Sequence, residues 1–293
     1  MPIANECVGD HFWLYHAIDD PPKTTDYFMH MHDNYEIVCF VSGNARYMVE
    51  GTVYELFPGA LLLMRPSESH TLVLGGLDRY ERFTLNFHQE LFEKTGFSTS
   101  LLRPFYDRPL GAHNLYLPSE LEGIDASVCF RKICEEAKLL PKKEVLLANL
   151  ASLLCSINVA FARKGNVVTP KYTKIGNELI TYINENLLSD LSLTSLSAYI
   201  HMSPSQINRI FKESTGSSVY HYILLKRMIL AREMIANGES AQTAALSCGF
   251  RDYSSFFRLY KKHFSMAPTS TKKRISPIAD LPHVQARQND ESD

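Results

Sequence analysis

Apolar positions follow two different periods along the chain. Up to about residue 90 they form short β-rich runs at 35–41, 46–49, 52–56, 61–64, 71–74 and 82–88, punctuated by Ser42-Gly43-Asn44, Glu50-Gly51, Pro58-Gly59 and Gly75-Gly76. Alternation bounded by turn residues predicts strands, and many short strands at this cadence predict a small barrel or jelly roll. From residue 121 the period becomes helical, over 121–140 and 144–162, with Pro141 between. In the second stretch Val145, Leu146, Leu147, Leu150, Leu153, Leu154, Ile157 and Ala160 cover more than one helix face. A second packing partner is therefore expected. A homodimer supplies one, and full burial inside one chain is the alternative.

The carboxyl-terminal pattern repeats itself. Ser192-Leu193-Thr194-Ser195-Leu196 opens a short helix with capping residues before Leu193, Leu196, Tyr199 and Ile200. After a turn at His201-Met202, Ser203-Pro204 starts a second helix whose apolar stripe is Ile207, Ile210 and Phe211, stopped at Thr215-Gly216. A long helix over 217–235 follows, with Val219, Tyr222, Ile223, Met228, Ala231 and Met234 as its buried stripe and Asn237-Gly238 as its end. Ala241, Ala244, Ala245 and Leu246 then form another short helix before Cys248-Gly249-Phe250, and Asp252 caps a last helix with Phe256, Leu259 and Phe264 toward the core. This is two helix-turn-helix units in series on a spacer about 28 Å long, close to the roughly 34 Å between successive major grooves on one face of a duplex.

The outward faces carry groups suited to DNA. In the first unit these are Ser205, Gln206, Asn208, Arg209 and Lys212; in the second, Arg251, Tyr253, Ser254, Phe257, Arg258, Lys261 and Lys262. Arg pairs with guanine, Asn and Gln with adenine, and Lys neutralises phosphate. Charge agrees with this division. The net charge of −2 conceals 15 Lys and Arg against 21 Asp and Glu over residues 1–170, and 14 against 7 over 171–274. A basic excess on the helical half is the footprint of a phosphate-binding module.

Domains are expected at 1–118 (barrel), 119–164 (helical dimerisation segment), 165–173 (linker with Gly165, Asn166 and Pro170), 174–274 (DNA-binding) and 275–293 (disordered tail). The six cysteines show no C-x-x-C pair, and Cys39, Cys129, Cys134, Cys155 and Cys248 read as small buried hydrophobes. With no leader pattern and no apolar run judged long enough to span a bilayer, the chain is expected to be cytoplasmic and free of the membrane.

Arg209-Ile210-Phe211-Lys212, Thr215-Gly216, Tyr222-Ile223, Lys226-Arg227, Ala231, Gly249-Phe250, Asp252, Phe256, Arg258 and Pro268 together resemble the DNA-binding domain of the AraC/XylS family of bacterial transcription regulators. That resemblance implies a non-enzymatic regulator bound to double-stranded DNA, with RNA polymerase a further partner if it activates. The chain departs from the family at Ala241 and Ala244, where isoleucine is usual, at Ser265 for glycine, and at Thr271-Lys272 for Tyr-Arg. Two Ile-to-Ala differences would loosen the second unit by a few kcal/mol each unless neighbours compensate.

In the amino-terminal half, His30-x-His32-x3-Glu36-x6-Gly43, then Pro58-Gly59 and Pro66-x3-His70, resemble the cupin barrel that serves such regulators as an effector domain. The fold class is then α+β: a cupin-like barrel with two following helices, and an all-α domain of two helix-turn-helix units. An unbroken extended segment would put His30, His32 and Glu36 on one face, with His70 beside them. Candidate effector-binding residues are these four with Arg46, Tyr47, Asn86 and His88. Three readings of the histidines stay open: a pocket without metal, a pocket with a divalent metal on His30, His32, Glu36 and His70, and histidines satisfied internally. The second carries an alternative function, a metal-dependent cupin enzyme or metal sensor fused to a DNA-binding domain. Thr24, in place of the enzyme motif's opening glycine, and a second motif one residue short speak against it, and no cofactor is expected. Polar interior groups point to a hydroxyl-rich effector such as a carbohydrate. Trp13 and Tyr15 belong to a leading arm that packs on the barrel or closes over a ligand.

Overall fold

The computed structural model describes residues 3–22, 27, 29–93, 95, 97–164, 174–264 and 266–271; the expected linker and tail, and Thr24, Ser265 and Lys272, lie outside them. Its strands are β1 (Ile3–Gly9), β2 (Phe12–Asp19), β3 (Tyr35–Ser42), β4 (Ala45–Val49), β5 (Thr52–Glu55), β6 (Leu61–Met64), β7 (His70–Leu74), β8 (Tyr80–Phe87) and β9 (Leu115–Tyr116). The helices are α1 (Glu90–Glu93), α2 (Arg103–Tyr106), α3 (Ala126–Glu136), α4 (Lys142–Lys164), α5 (Lys174–Glu185), α6 (Leu193–Ile200), α7 (Pro204–Thr215), α8 (Val219–Ala236), α9 (Ala241–Ser247) and α10 (Tyr253–Phe264). The expected barrel takes the form of two facing sheets that do not close on each other, β1-β2-β8-β3-β6-β9 and β5-β4-β7. The arm with Trp13 and Tyr15 is itself a strand, β2, paired along its whole length with β8.

Alternation decides what each face of the large sheet does. Val38, Phe40 and Leu62 meet Tyr47, Val49 and Leu72 of the small sheet in one apolar cluster. The alternate residues Ile37, Cys39, Leu61, Leu63, Phe83 and Leu85 form the opposite face, in the same core cluster as the buried residues of α3 and α4. All eight apolar residues of α4 that suggested a second subunit are buried within this one chain, each Val, Leu or Ile among them contributing about 1.5–3 kcal/mol by leaving water. The stated reason for a homodimer therefore does not hold. Helix α4 also corrects the reading of membrane-spanning length: its 23 residues are long and apolar enough by composition, although so is many a core helix. Cys155, expected inside, is exposed, while Cys39, Cys134 and Cys248 are buried.

The second core gathers α5 to α10, including Leu179, Ile183, Leu196, Ile207, Phe211, Met228, Ala244, Phe256 and Phe264. Helix α5 was missed in the sequence pattern, although Ile175, Leu179, Ile180 and Ile183 have helical spacing. Starts and stops are local chemistry: Ser192, Ser203, Ser218 and Ser240 accept from the first-turn amides of α6, α7, α8 and α9, each cap worth about 1 kcal/mol. Gly216 ends α7 at φ +77°, a conformation that favours glycine.

Candidate nucleic-acid interface and effector domain

Helices α7 and α10 are the second members of their units. On α7, Ser205, Arg209 and Lys212 are exposed, and Arg209 Nη1 lies 3.1 Å from Glu213 Oε1 on the next turn. Gln206 and Asn208 are committed elsewhere. Gln206 Oε1 accepts from the Ser203 backbone N–H at 3.1 Å, closing a capping box, and Asn208 Oδ1 accepts from the Val219 N–H at 3.3 Å, tying α7 to the start of α8. On and before α10, Arg251, Ser254, Arg258, Lys261 and Lys262 are exposed, whereas Tyr253 and Phe257 are half-buried, their rings 6.2 Å apart. Asp252 accepts from the Ser255 N–H at 2.7 Å. Both readers thus present cations to solvent, and the 18 residues of α8, about 27 Å long, join the two units.

Helix α8 carries a second buried face, of which the sequence stripe included only Tyr222. Tyr222, Lys226, Ile229 and Arg232 recur at intervals of three or four and turn toward the amino-terminal domain. Glu50, with no exposed side chain, accepts from Lys226 Nζ at 2.7 Å, from the Tyr222 hydroxyl and, within its own domain, sends Oε1 to the Ser69 N–H at 2.8 Å. Lys226 Nζ also donates to the Ser67 carbonyl, and Arg232 Nε lies 3.5 Å from Asp33 Oδ2. Glu50 sits in the β4–β5 turn at φ +43°, a backbone conformation uncommon for a side-chain-bearing residue. Beside this contact a cleft of about 530 Å³ runs between Asp33, Tyr35, Arg65 and His88 on one side and Ile229, Glu233 and Asn237 on the other.

Inside the sheets the register assigns the remaining candidates. Arg82 and Phe40, Thr84 and Val38, Asn86 and Glu36 are directly opposed pairs; opposed residues share a face, and Val38 and Phe40 belong to the inter-sheet cluster. Arg82, Thr84, Asn86 and Glu36 therefore point between the sheets, with Trp13, Tyr15 and Ala17 opposite them on β2. Tyr47 joins them, but its neighbour Arg46 is exposed on the outer face, as period two requires. The interior arginine is Arg82, which sequence reasoning missed. It donates to Asp19 Oδ2 at 3.0 Å and lies 4.8 Å from the Tyr80 ring centre; Asp19 also accepts from the Tyr27 hydroxyl. His88, grouped with Asn86, lines the interdomain cleft. Among the described residues, Asn86 Nδ2 is buried with no hydrogen-bond partner, while Tyr80 and Thr84 face the hydroxyls of Tyr47 and Tyr15.

At one end of this interior stand the histidines. The extended segment is broken by a bend at Asp33-Asn34, yet His32 Nε2 reaches Glu36 Oε2 at 3.2 Å and His70 Nε2 lies 3.8 Å from Glu36 Oε1. His30 comes in through a two-way backbone bridge to His70, 3.0 Å each way. Burial alone would raise the Glu36 carboxyl, but the His32 hydrogen bond and the flanking imidazoles outweigh it and bring it to about 2. Burial lowers His70; for His32 burial is outweighed by Glu36, and the net direction is up. The loop carrying His70 is braced by Glu68, which takes two 2.7 Å bonds from Arg108 and one of 2.9 Å from the Gly111 N–H. Nothing in the sequence pattern marked that pair, 40 residues apart.

Comparison with known proteins supplies the family. The AraC-like ligand binding domain matches residues 17–153 and a helix-turn-helix domain matches 196–274. The transcriptional activator RhaR of Mannheimia succiniciproducens is 21% identical over 84% of this chain and 87% of its own length. The probable transcriptional regulator LumQ of Photobacterium leiognathi is 34% identical over 30% of this chain, covering 36% of its own length. Among solved structures, ToxT of Vibrio cholerae aligns over 89% of this chain and 96% of its own, at 13% identity and a TM-score of 0.40. With a ligand-binding domain followed by a helix-turn-helix domain in the order those families require, the chain belongs to the AraC-type transcription regulators.

Proposed function

We propose that this chain reads a specific operator through α7 and α10 while a small polar effector, held between the two amino-terminal sheets, sets how the DNA-binding domain is placed. The observation that carries the reading is the double attachment of α8: it joins two units with exposed Arg209, Lys212, Arg258 and Lys261, and its Lys226 and Arg232 are fastened to the effector domain through Glu50 and Asp33. A ligand that fits one arrangement better than another shifts the population by its differential affinity. The effector class follows from the interior. Arg82 is already balanced by Asp19, so the groups that face a ligand are the neutral Tyr80, Thr84 and Asn86, flanked by Trp13 and Tyr15. That set suits an uncharged, hydroxyl-rich molecule such as a sugar.

The protein acts in this reading as a binding module without turnover, in the cytoplasm, and contacts RNA polymerase if it activates. The test is operator selection from random duplexes, followed by affinity measurement with and without a panel of neutral sugars. A recovered sequence motif whose affinity one sugar changes supports the reading; salt-dependent binding with no sequence preference refutes it.

A further inference from the structure

The cleft beside the Glu50–Lys226 contact takes one wall from each domain. Asp33, Tyr35, Arg65, His88 and Glu90 line it from the effector domain, and Glu233 lines it from α8, around about 530 Å³. That volume is in the range of small-molecule sites. None of Tyr80, Thr84 and Asn86 lines it, so it is a different place from the space between the sheets.

Two of its inner atoms lack partners. His88 is 7% exposed, and among the described residues its Nε2 has no hydrogen-bond partner. Asp33 turns Oδ2 toward Arg232 at 3.5 Å, while its Oδ1 is buried and likewise without a hydrogen bond. Buried polar atoms are normally paired. Two orphans lining one cleft mark a place where a ligand supplies the missing bonds.

Charge gives the class of that ligand. Glu90 of α1 and Glu233 of α8 stand on opposite walls. Arg65, the one Lys or Arg among the described lining residues, turns Nη1 to the Tyr106 and Arg108 carbonyls, at 3.3 and 3.2 Å. Like charges across a cleft oppose its closing, and a cation between them reverses the sign. The same carboxylates exclude an anion. Bare Mg²⁺ or Ca²⁺ prefers a compact cage of oxygens, whereas this cleft is wide, reaches an imidazole and is bordered by the Tyr35 and Tyr106 rings, which attract organic cations.

We propose that the cleft binds a small aliphatic diamine, one ammonium toward each acidic wall, and that the bound diamine holds the two domains docked. The coupling needs no further element. A ligand that touches both walls binds the docked arrangement alone and stabilises it by mass action. Neither half rests on the operator or on the effector between the sheets.

The test titrates the full chain with putrescine by calorimetry, with butylamine and Mg²⁺ as comparisons. One putrescine per chain is expected, with butylamine bound more weakly and Mg²⁺ failing to displace it. Glu90→Gln and Glu233→Gln keep side-chain volume at positions that are half-buried and exposed, and each should weaken putrescine about fivefold. No saturable binding, binding that neither glutamine changes, butylamine as tight as putrescine, or displacement by Mg²⁺ overturns the site. Hydrogen exchange in Lys226→Met, whose dock is weakened, reads the coupling. At about a hundred times its dissociation constant, putrescine should slow exchange of peptides 66–71 and 222–233 by about a hundredfold; unchanged exchange in both overturns the coupling. Operator recognition without any amine leaves the regulator reading standing whichever result is found.

Discussion

Replacing Lys226 by methionine isolates the fastening between the domains. Methionine keeps most of the stem and removes the ammonium that meets Glu50 Oε1 at 2.7 Å, with side-chain exposures of 5% and 0% for the two residues. Breaking one side of a buried pair costs about 3–5 kcal/mol because the remaining charge is left uncompensated. Glu50 keeps its bonds from the Ser69 N–H and the Tyr222 hydroxyl, so the lower end, about 3 kcal/mol, applies, a shift of roughly a hundredfold toward the undocked state. The penalty exists only when docked, since separation returns Glu50 to water. Hydrogen exchange on peptides covering 47–52, 66–71 and 222–233 reads it directly: all three should lose protection together, while peptides in α4 stay unchanged. Adding Glu50→Gln should restore part of the protection by removing the stranded charge. Protection within twofold of the parent protein in Lys226→Met would refute the fastening.

Arg209→Ala should cost about 1–3 kcal/mol at one base position of the selected operator, whereas Lys261→Ala should weaken all sequences alike and reduce the salt slope by about one; identical effects from the two would overturn the assignment. Asn86→Leu should abolish the response to the effector while affinity for DNA without effector is kept, as measured by titration on the operator. The Glu68 carboxyl is held down at about 2 in the fold, where Arg108 and the Gly111 N–H outweigh its burial. A lowered carboxylate contributes its stability above the unfolded value near 4.5 and loses it as pH falls toward 2. Arg108→Met should therefore cost about 3–5 kcal/mol at neutral pH and flatten the acid limb of the stability curve below pH 4.5; an acid limb identical to the parent's would contradict this.

What was legible in the sequence was local. Helices α6, α7 and α10 announce themselves through Ser192, Ser203 and Asp252 and the stripes behind them, α9 through Ala241, Ala244, Ala245 and Leu246, and the strand runs through period two. Contacts that join distant positions were not legible. The face of α8 that docks carries Lys226 and Arg232 beside Tyr222; a search for apolar stripes finds Tyr222 and discounts the two cations, and Glu50 alone shows no pattern. At the readers the sequence did not show that Gln206 and Asn208 also accept from backbone amides, of Ser203 on the preceding turn and of Val219 at the start of α8. At Arg46 the strand was correct and the parity was not applied, since Tyr47 beside it cannot share its face. Helix α4 looked too apolar for one chain because the large sheet behind it was not yet placed.

The central claim is that one rigid rod sets two readers in phase on one duplex. Chemical footprinting of the full chain on its selected operator, at single-base resolution, tests this most directly. Each chain should protect two major-groove patches on one face of the duplex, centred about one helical turn apart, and Arg209→Ala and Arg258→Ala should each erase a different one. A single protected patch, or two on opposite faces of the duplex, would contradict the account.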